Sequence, residues 1–393
     1  MTNNFQIKDS NNRYKIIMKD IKKVCIVTWY GSNNYGTNLQ AYALYHVLKE
    51  NNIKADFIKP FKGRRVFHQY PGQPFRLSRY IKNCLKICMG REIPEIIRQK
   101  KIMRFLKDEL TFIKPINNQN DISLLNEQYD YFLTGSDQIW NPFFLDTFYF
   151  LDFVKDDKKK IAYSSSIAVN TIPSNLQPIY IQYLSHFKAI CCREKTGSSL
   201  LSSLINKKVK TVLDPVLLLN KDKWIKLGQK ASLKNKVSTS ENYIFCYFIG
   251  DKTFEWDALE DIKKATGIQR VLVFLVSPPK HINKKYEYLR TADIADFIWY
   301  LQHASYVVTD SFHNVAMCLK LEKDFVALMR CKEDEKSENS RMYDFLATFN
   351  LAHKIYTAKG KDYLNPIPFS EVEQLLEKKV NECTKILMNL IWE

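Results

Sequence analysis

A chain of 393 residues has room for two or three domains, and its 46% apolar and 13% aromatic content supplies a sizeable core, which excludes an intrinsically disordered protein. No uncharged apolar stretch approaches the ~20 residues of a membrane span, and residues 1–20 are polar and mixed in charge, unlike a secretory signal, so a cytoplasmic location is expected. The formal charge of +17 asks for anionic partners, either phosphorylated substrates or an anionic membrane face touched at its periphery; nucleic acid is not expected, because aromatic residues do not interleave with the basic runs.

Residues 1–20 read as a polar N-terminal extension. The first strand is predicted from Val24 to Trp29. The loop from Tyr30 to Gly36 then leads into a helix with Thr37 and Gln40 in capping-box positions and Leu39, Ala43, Leu44, Val47 and Leu48 on its apolar face. Gly31 and Gly36 are five apart, which matches neither the dinucleotide fingerprint nor a P-loop. From Arg79 to Leu110 the chain is basic and helical in composition, interrupted by Gly90 and Pro94. It reads equally as a surface helical insertion and as a face that docks on anionic lipid.

Strands follow at Tyr131 to Thr134, Ile161 to Ser164, Ala189 to Cys192 and Thr211 to Leu213, where Asp214-Pro215 ends the pattern. A lysine-rich stretch, 219–242, reads as a connection, and a second series begins: Tyr243 to Ile249, Val271 to Val276, Tyr306 to Thr309 and Phe325 to Met329. Strands separated by helices imply parallel sheets with right-handed crossovers. The expected architecture is α/β: two facing doubly wound domains, 21–218 and 243–369, with residues 370–393 packing back as a helix. That helix is predicted from Ser370, with Glu373 completing a capping box. Nine cysteines lack a paired framework, and no histidine stands near Cys84 and Cys88 to complete a zinc set, so buried reduced thiols and no metal are expected.

The most informative segment is Asp310-Ser311-Phe312-His313-Asn314. A strand that turns directly into a helix leaves unpaired N–H groups facing the gap, which suits an anion, and His313 adds a side chain able to move protons near neutral pH. Arg193, at the exit of another strand, either offers a planar fork to a carboxylate or phosphate or forms a surface pair with Glu194. Ser136, Asp137 and Gln138 are hydrogen-bonding groups of the kind that bind sugar hydroxyls and equally of the kind that make caps and turns.

In order along the chain, Thr28 to Gly36, Gly135 to Asn141, Tyr163 to Ser166, Arg193-Glu194-Lys195, Leu213-Asp214-Pro215 and Asp310 to His313 together resemble the polysaccharide pyruvyl transferase family. The resemblance implies a two-domain fold similar to GT-B glycosyltransferases. It also implies transfer of the enolpyruvyl unit of phosphoenolpyruvate onto a sugar as a cyclic ketal. The acceptor would be a bacterial surface or capsular polysaccharide, or a polyprenyl-pyrophosphate-linked precursor of one. By that resemblance His313 and Arg193 are catalytic, and Arg193, Ser311, Phe312, His313 and Asn314 bind the donor. The acceptor is expected near Asn34, Tyr35, Ser136, Asp137 and Gln138. Phosphoenolpyruvate acts as co-substrate and no cofactor is called for. Two other readings stay open: a nucleotide-sugar glycosyltransferase using the same cleft, and a non-catalytic basic protein that binds nucleic acid or membrane.

Overall fold

The structure, a computed structural model, describes residues 5–8, 14–17, 21–61, 92–234, 238–250, 252–279, 282–330 and 339–393. Cys84, Cys88 and the part of the basic segment before Glu92 lie outside them. Two short strands near the N-terminus, β1 (Phe5–Lys8) and β2 (Tyr14–Ile17), pair antiparallel within the expected extension.

The first large sheet holds β3 (Lys23–Val27), β4 (Lys54–Phe57), β5 (Tyr131–Thr134), β6 (Lys160–Ser165), β7 (Ala189–Cys192) and β8 (Lys210–Thr211), all parallel, in the order β4-β3-β5-β6-β7-β8. Val24, Cys25, Ile26 and Val27 are all fully buried, as befits a strand covered by helices on both faces. The second sheet holds β9 (Ile244–Phe248), β10 (Val271–Leu275), β11 (Glu287–Tyr288), β12 (Tyr306–Thr309) and β13 (Phe325–Ala327), again all parallel, in the order β11-β10-β9-β12-β13. In each sheet the winding reverses beside its first strand, β3 or β9. Open α/β sheets bind ligands outside the carboxyl ends of their strands at such a reversal.

One face of each sheet contributes to a shared apolar core, through residues such as Val24, Ile26, Phe245 and Phe274, and the other face of each sheet packs in a core of its own. Tyr35, in the helix Tyr35–Glu50, stacks on Phe297 with ring centroids 4.4 Å apart and donates its hydroxyl to the Ala292 carbonyl at 2.8 Å. The connecting stretch contains a helix, Lys221–Gln229, whose fully buried Trp224 donates to the Val216 carbonyl. The last helix, Phe369–Trp392, packs back on the body through Val372, Leu376, Cys383, Leu387 and Ile391. All six described cysteines are buried free thiols.

Two expected caps are corrected. Asn34, not Thr37, caps the first helix, accepting from the Gly36 N–H at 3.0 Å, so Thr37 lies inside the first turn and its hydroxyl is free for other work. The last helix begins at Phe369 after Pro368 and has no side-chain cap. Asparagine and threonine are both good capping residues, and tertiary contacts decide between them.

The described part of the basic segment is the helix Ile93–Glu109, with Pro94 in its first turn rather than as an interruption. Its inner face straps the two sheets together. Arg98, fully buried, donates from Nη1 to the Leu275 carbonyl at 2.5 Å and from Nη2 to the Val276 carbonyl at 2.6 Å. Glu95 takes a bidentate pair from Arg290 at 2.7 and 2.6 Å. Its outer face carries exposed Ile93, Ile96 and Ile97, then exposed Lys100, Arg104 and Lys107.

Arg98→Ala leaves two carbonyls at the end of β10 without their charged donor, and a buried acceptor stripped of such a partner costs roughly 2–3 kcal/mol. The variant is expected to fold with a lower urea midpoint. An unchanged midpoint would show that the strap contributes no stability.

Candidate active site

The turn after β12 is tied at each residue. Thr309 donates its hydroxyl to the Tyr247 carbonyl at 2.7 Å and accepts from the Ser311 N–H at 3.1 Å. Asp310 accepts from the N–H groups of Ile249 and Gly250 at 2.8 and 3.2 Å, joining the ends of β9 and β12 at the point of reversal. Burial pushes its carboxyl upward despite Arg330 and these two N–H groups. Ser311 caps the helix Phe312–Lys320, accepting from the Asn314 N–H at 3.4 Å. Asp310 and Ser311 therefore brace the turn, and His313 projects from its first helical residues toward the first sheet.

Gly36 makes room for it. A Cβ there would lie 2.5 Å from His313 Nδ1, so only glycine lets the helix Tyr35–Glu50 pass this close. His313 Nε2 lies 3.0 Å from Arg193 Nη1 and 3.3 Å from Asp214 Oδ2. Arg193 Nη1 also donates to Asp214 Oδ2 at 2.9 Å, and the Ser136 hydroxyl donates to the same oxygen at 2.9 Å. An imidazole with a free Nε2 lone pair accepts from Arg193; one carrying a proton there donates to Asp214. Both protonation states have a partner in place, as an acid–base group requires.

All of this is away from bulk water, with side-chain exposures of 1% for Arg193, 0% for Asp214 and 5% for His313. Burial alone would raise the Asp214 carboxyl, but His313 and Arg193 beside it outweigh that and hold it well below the usual carboxylate range. Burial would likewise weaken the Arg193 charge, and the carboxylates of Asp214, Asp137 and Glu194 together reverse the effect. Asp137 is also held low: His313, Arg193, the Thr37 hydroxyl at 2.7 Å and the Gln138 N–H at 2.8 Å overcome its burial.

One edge of the guanidinium is uncommitted. Arg193 Nε and Nη2 are buried without a hydrogen-bond partner among the described residues, as are both amide atoms of Asn314. The Phe312 ring stacks at 4.3 Å from the guanidinium carbon. The Nε–Nη2 edge is the face on which arginine receives two oxygens of a carboxylate or phosphate. Buried donors of this kind signal a place completed by something else.

Of the residues singled out in the sequence, Arg193, His313, Phe312 and Asn314 converge here. The surface Arg–Glu pair is corrected: Glu194 instead accepts from the Ser166 hydroxyl and the N–H groups of Ile167 and Ala168, at 2.9 to 3.1 Å, fixing the loop after β6. Tyr35 and Ser136 are fully buried with committed hydroxyls, so they form the floor and wall of the site rather than a face open to an acceptor. Asp137 lies behind His313 and Arg193. Gln138 stands beside Asn141 and Arg341. Asn34 accepts from the Tyr247 hydroxyl of the second sheet at 3.0 Å. Sequence reasoning missed Asp214, Thr37 and Gly36 as members of the site. Asp214 showed only as an Asp-Pro stop signal, and it does cap the next short helix through Oδ1, on the Val216 N–H at 3.0 Å, while Oδ2 serves the site.

The family model for polysaccharide pyruvyl transferases matches residues 34–331, a span that contains every member of this constellation. No curated protein gives a match. Among solved structures, UDP-GlcNAc 2-epimerase from Methanocaldococcus jannaschii superposes with a TM-score of 0.51 at 10% identity, covering 95% of this chain and 100% of that one. The same enzyme in complex with UDP-GlcNAc and UDP gives a TM-score of 0.50 at 12% identity over the same shares, 95% and 100%. The shared feature is the fold, a GT-B-like pair of doubly wound domains facing one another.

Two outcomes test the packing and charge of the site. Gly36→Ala should lose about 1–3 kcal/mol by overpacking against the imidazole, read by urea denaturation. Because the Asp214 carboxyl is depressed in the folded state, its stabilising contribution is complete above about pH 5 and fades as pH falls from there. The stability gap between wild type and Asp214→Asn should accordingly be wider at pH 7 than at pH 3. A gap that does not narrow would deny the carboxylate its charged partners.

Proposed function

Because this chain belongs to the polysaccharide pyruvyl transferase family, we propose that it moves the enolpyruvyl unit of phosphoenolpyruvate onto two hydroxyls of a glycan, forming a cyclic ketal and releasing phosphate. The supporting observation is the contact between Arg193 and His313, 3.0 Å apart across the two domains, with the guanidinium's Nε–Nη2 edge unpartnered. A small dianion is the ligand that such an edge, the Asn314 amide and a helix N-terminus would hold together.

The first acceptor oxygen bonds to C2 of the donor while C3 takes a proton from His313, and that hydroxyl's own proton passes back to His313. The C2–O bond to phosphate breaks with phosphate keeping the electron pair, and the second acceptor oxygen bonds to C2 as its proton goes to the departing phosphate. In this proposal His313 Nε2 is the atom that gives and recovers the proton, Asp214 stabilises the imidazolium before it gives the proton and once it has recovered it, and Arg193 holds the donor and offsets the developing negative charge. The phosphoenolpyruvate-binding residues are Arg193, Phe312, His313 and Asn314, with Ser311 acting through the cap it forms.

Incubating the protein with phosphoenolpyruvate and candidate glycans should yield a pyruvate ketal by mass spectrometry, with stoichiometric phosphate. His313→Ala should stay folded and lose about 10²–10⁴ in kcat. Arg193→Lys keeps the charge without the fork, so its donor KM should rise. Stabilisation by UDP- or GDP-sugars but not by phosphoenolpyruvate, in a thermal-shift assay, would favour the glycosyltransferase reading instead.

We also propose that the outer face of the helix Ile93–Glu109 meets an anionic membrane surface. Three exposed isoleucines and three exposed basic residues lie along that one face, and the chain's +17 charge complements anionic lipid. Vesicles of phosphatidylglycerol should co-sediment with the protein, phosphatidylcholine vesicles should not, and an Ile93→Ser, Ile96→Ser, Ile97→Ser triple variant should bind less. Equal binding by wild type and the triple variant would remove this face from the contact.

A further inference from the structure

A cavity of about 640 Å³ opens at the carboxyl ends of β3 and β4, on the first sheet's side of the acid–base site. Trp29, Tyr30, Asn34, Thr37, Lys59 and Tyr149 are among its walls. We propose that it is the seat of the acceptor sugar, with the pyranose ring held against Trp29 and Tyr149. This assignment rests on the pyruvyl-transfer reading and adds to it the place and the means of acceptor recognition.

The chemistry of the walls matches a pyranose. A sugar ring has apolar C–H faces and a polar rim of hydroxyls, so it needs aromatic rings on one side and hydrogen-bonding groups around the edge. Trp29 and Tyr149 stand nearly at right angles, 84° with centroids 6.1 Å apart, and so form a corner of two aromatic walls. The Tyr30 hydroxyl is buried without a hydrogen-bond partner among the described residues, although a phenol left so costs about 1–3 kcal/mol. Asn34 and Thr37 add further polar groups. The volume falls in the ordinary range for small-molecule sites, about 300–1,000 Å³.

The cavity also borders the acid–base site. Thr37 belongs to both places: it lines the cavity, and its hydroxyl donates to Asp137 at 2.7 Å. Asp137 in turn is the carboxylate held low by His313 and Arg193. The preceding residue, Gly36, is the one against which the imidazole packs. A sugar seated on the aromatic corner therefore lies against Thr37, whose hydroxyl reaches the carboxylate bordering His313 and Arg193, while the donor approaches from the second sheet. Of the residues expected near the acceptor, Asn34, Tyr35, Ser136, Asp137 and Gln138, only Asn34 lines this cavity, and the hydroxyls of Tyr35 and Ser136 are committed elsewhere.

The test separates this seat from the reaction assigned to the protein. Methyl glycosides of glucose, galactose, mannose and N-acetylglucosamine are titrated without donor, following tryptophan fluorescence, and ketal formation is then measured with phosphoenolpyruvate. At least one glycoside should bind, Trp29→Ala should weaken it about tenfold or more, and Trp29→Phe should recover part of the loss. In turnover, Trp29→Ala should raise the acceptor KM and leave the donor KM unchanged. Failure of all four glycosides to bind, or a Trp29→Ala protein that keeps its glycoside affinity and acceptor KM, overturns the seat. Displacement of the glycoside from the Trp29 corner by UDP overturns it as well. Trp29-dependent glycoside binding without any ketal product would retain the seat and reject pyruvyl transfer. Ketal formation with an acceptor KM indifferent to Trp29 would do the reverse.

Discussion

A guanidinium from one domain and an imidazole from the other meet over a single carboxylate oxygen, and the rest of the molecule is arranged so that they can. Charges this deeply buried are tolerated only when paired and hydrogen-bonded. Asp214 supplies the pairing, Ser136 the extra hydrogen bond, and Asp137 a second negative field from behind. Each of these residues lies just past the carboxyl end of a strand. The parallel winding of both sheets delivers such ends to a common crevice, which is why distant segments of the chain converge on one small volume.

Much of this is legible in the sequence alone. The strands Tyr131–Thr134, Ala189–Cys192 and Tyr306–Thr309 have the predicted limits, because each is a short apolar run closed by turn-forming residues. His313 and Arg193 were recognisable because a histidine at a strand-to-helix turn and an arginine at a strand exit are chemically conspicuous. Asp214 was not, since an aspartate before proline is a common helix cap, and here it is a cap as well as a counter-ion. A residue with two duties shows only the commoner one in sequence.

Other residues were hidden because their partners are remote. Tyr35 stands among polar loop residues, yet its ring stacks on Phe297, some 260 positions away, a separation that no local pattern reports. Arg98 looked like one more member of a basic run. Its inward direction follows from Glu95, Ile102 and Leu106 sharing its helical face, but two of those four residues are charged, so the apolar periodicity that marks an inner face was diluted. Gly36 was visible as a loop glycine; that its missing side chain is space for an imidazole became evident only when both domains were in place.

The strap formed by the helix Ile93–Glu109 limits how the crevice can breathe. Arg98 grips the end of β10 and Glu95 grips Arg290, so four charge-assisted bonds tie this helix to the second sheet, although it belongs in sequence to the first. A wide hinge motion must rupture all four or drag the helix along. Just after the helix, Phe112 bridges to Phe57 in the first sheet, so the chain is held on both sides of the crevice within a few residues. Any opening that keeps the four bonds must carry the helix with the second sheet and take up the change between Glu109 and Phe112.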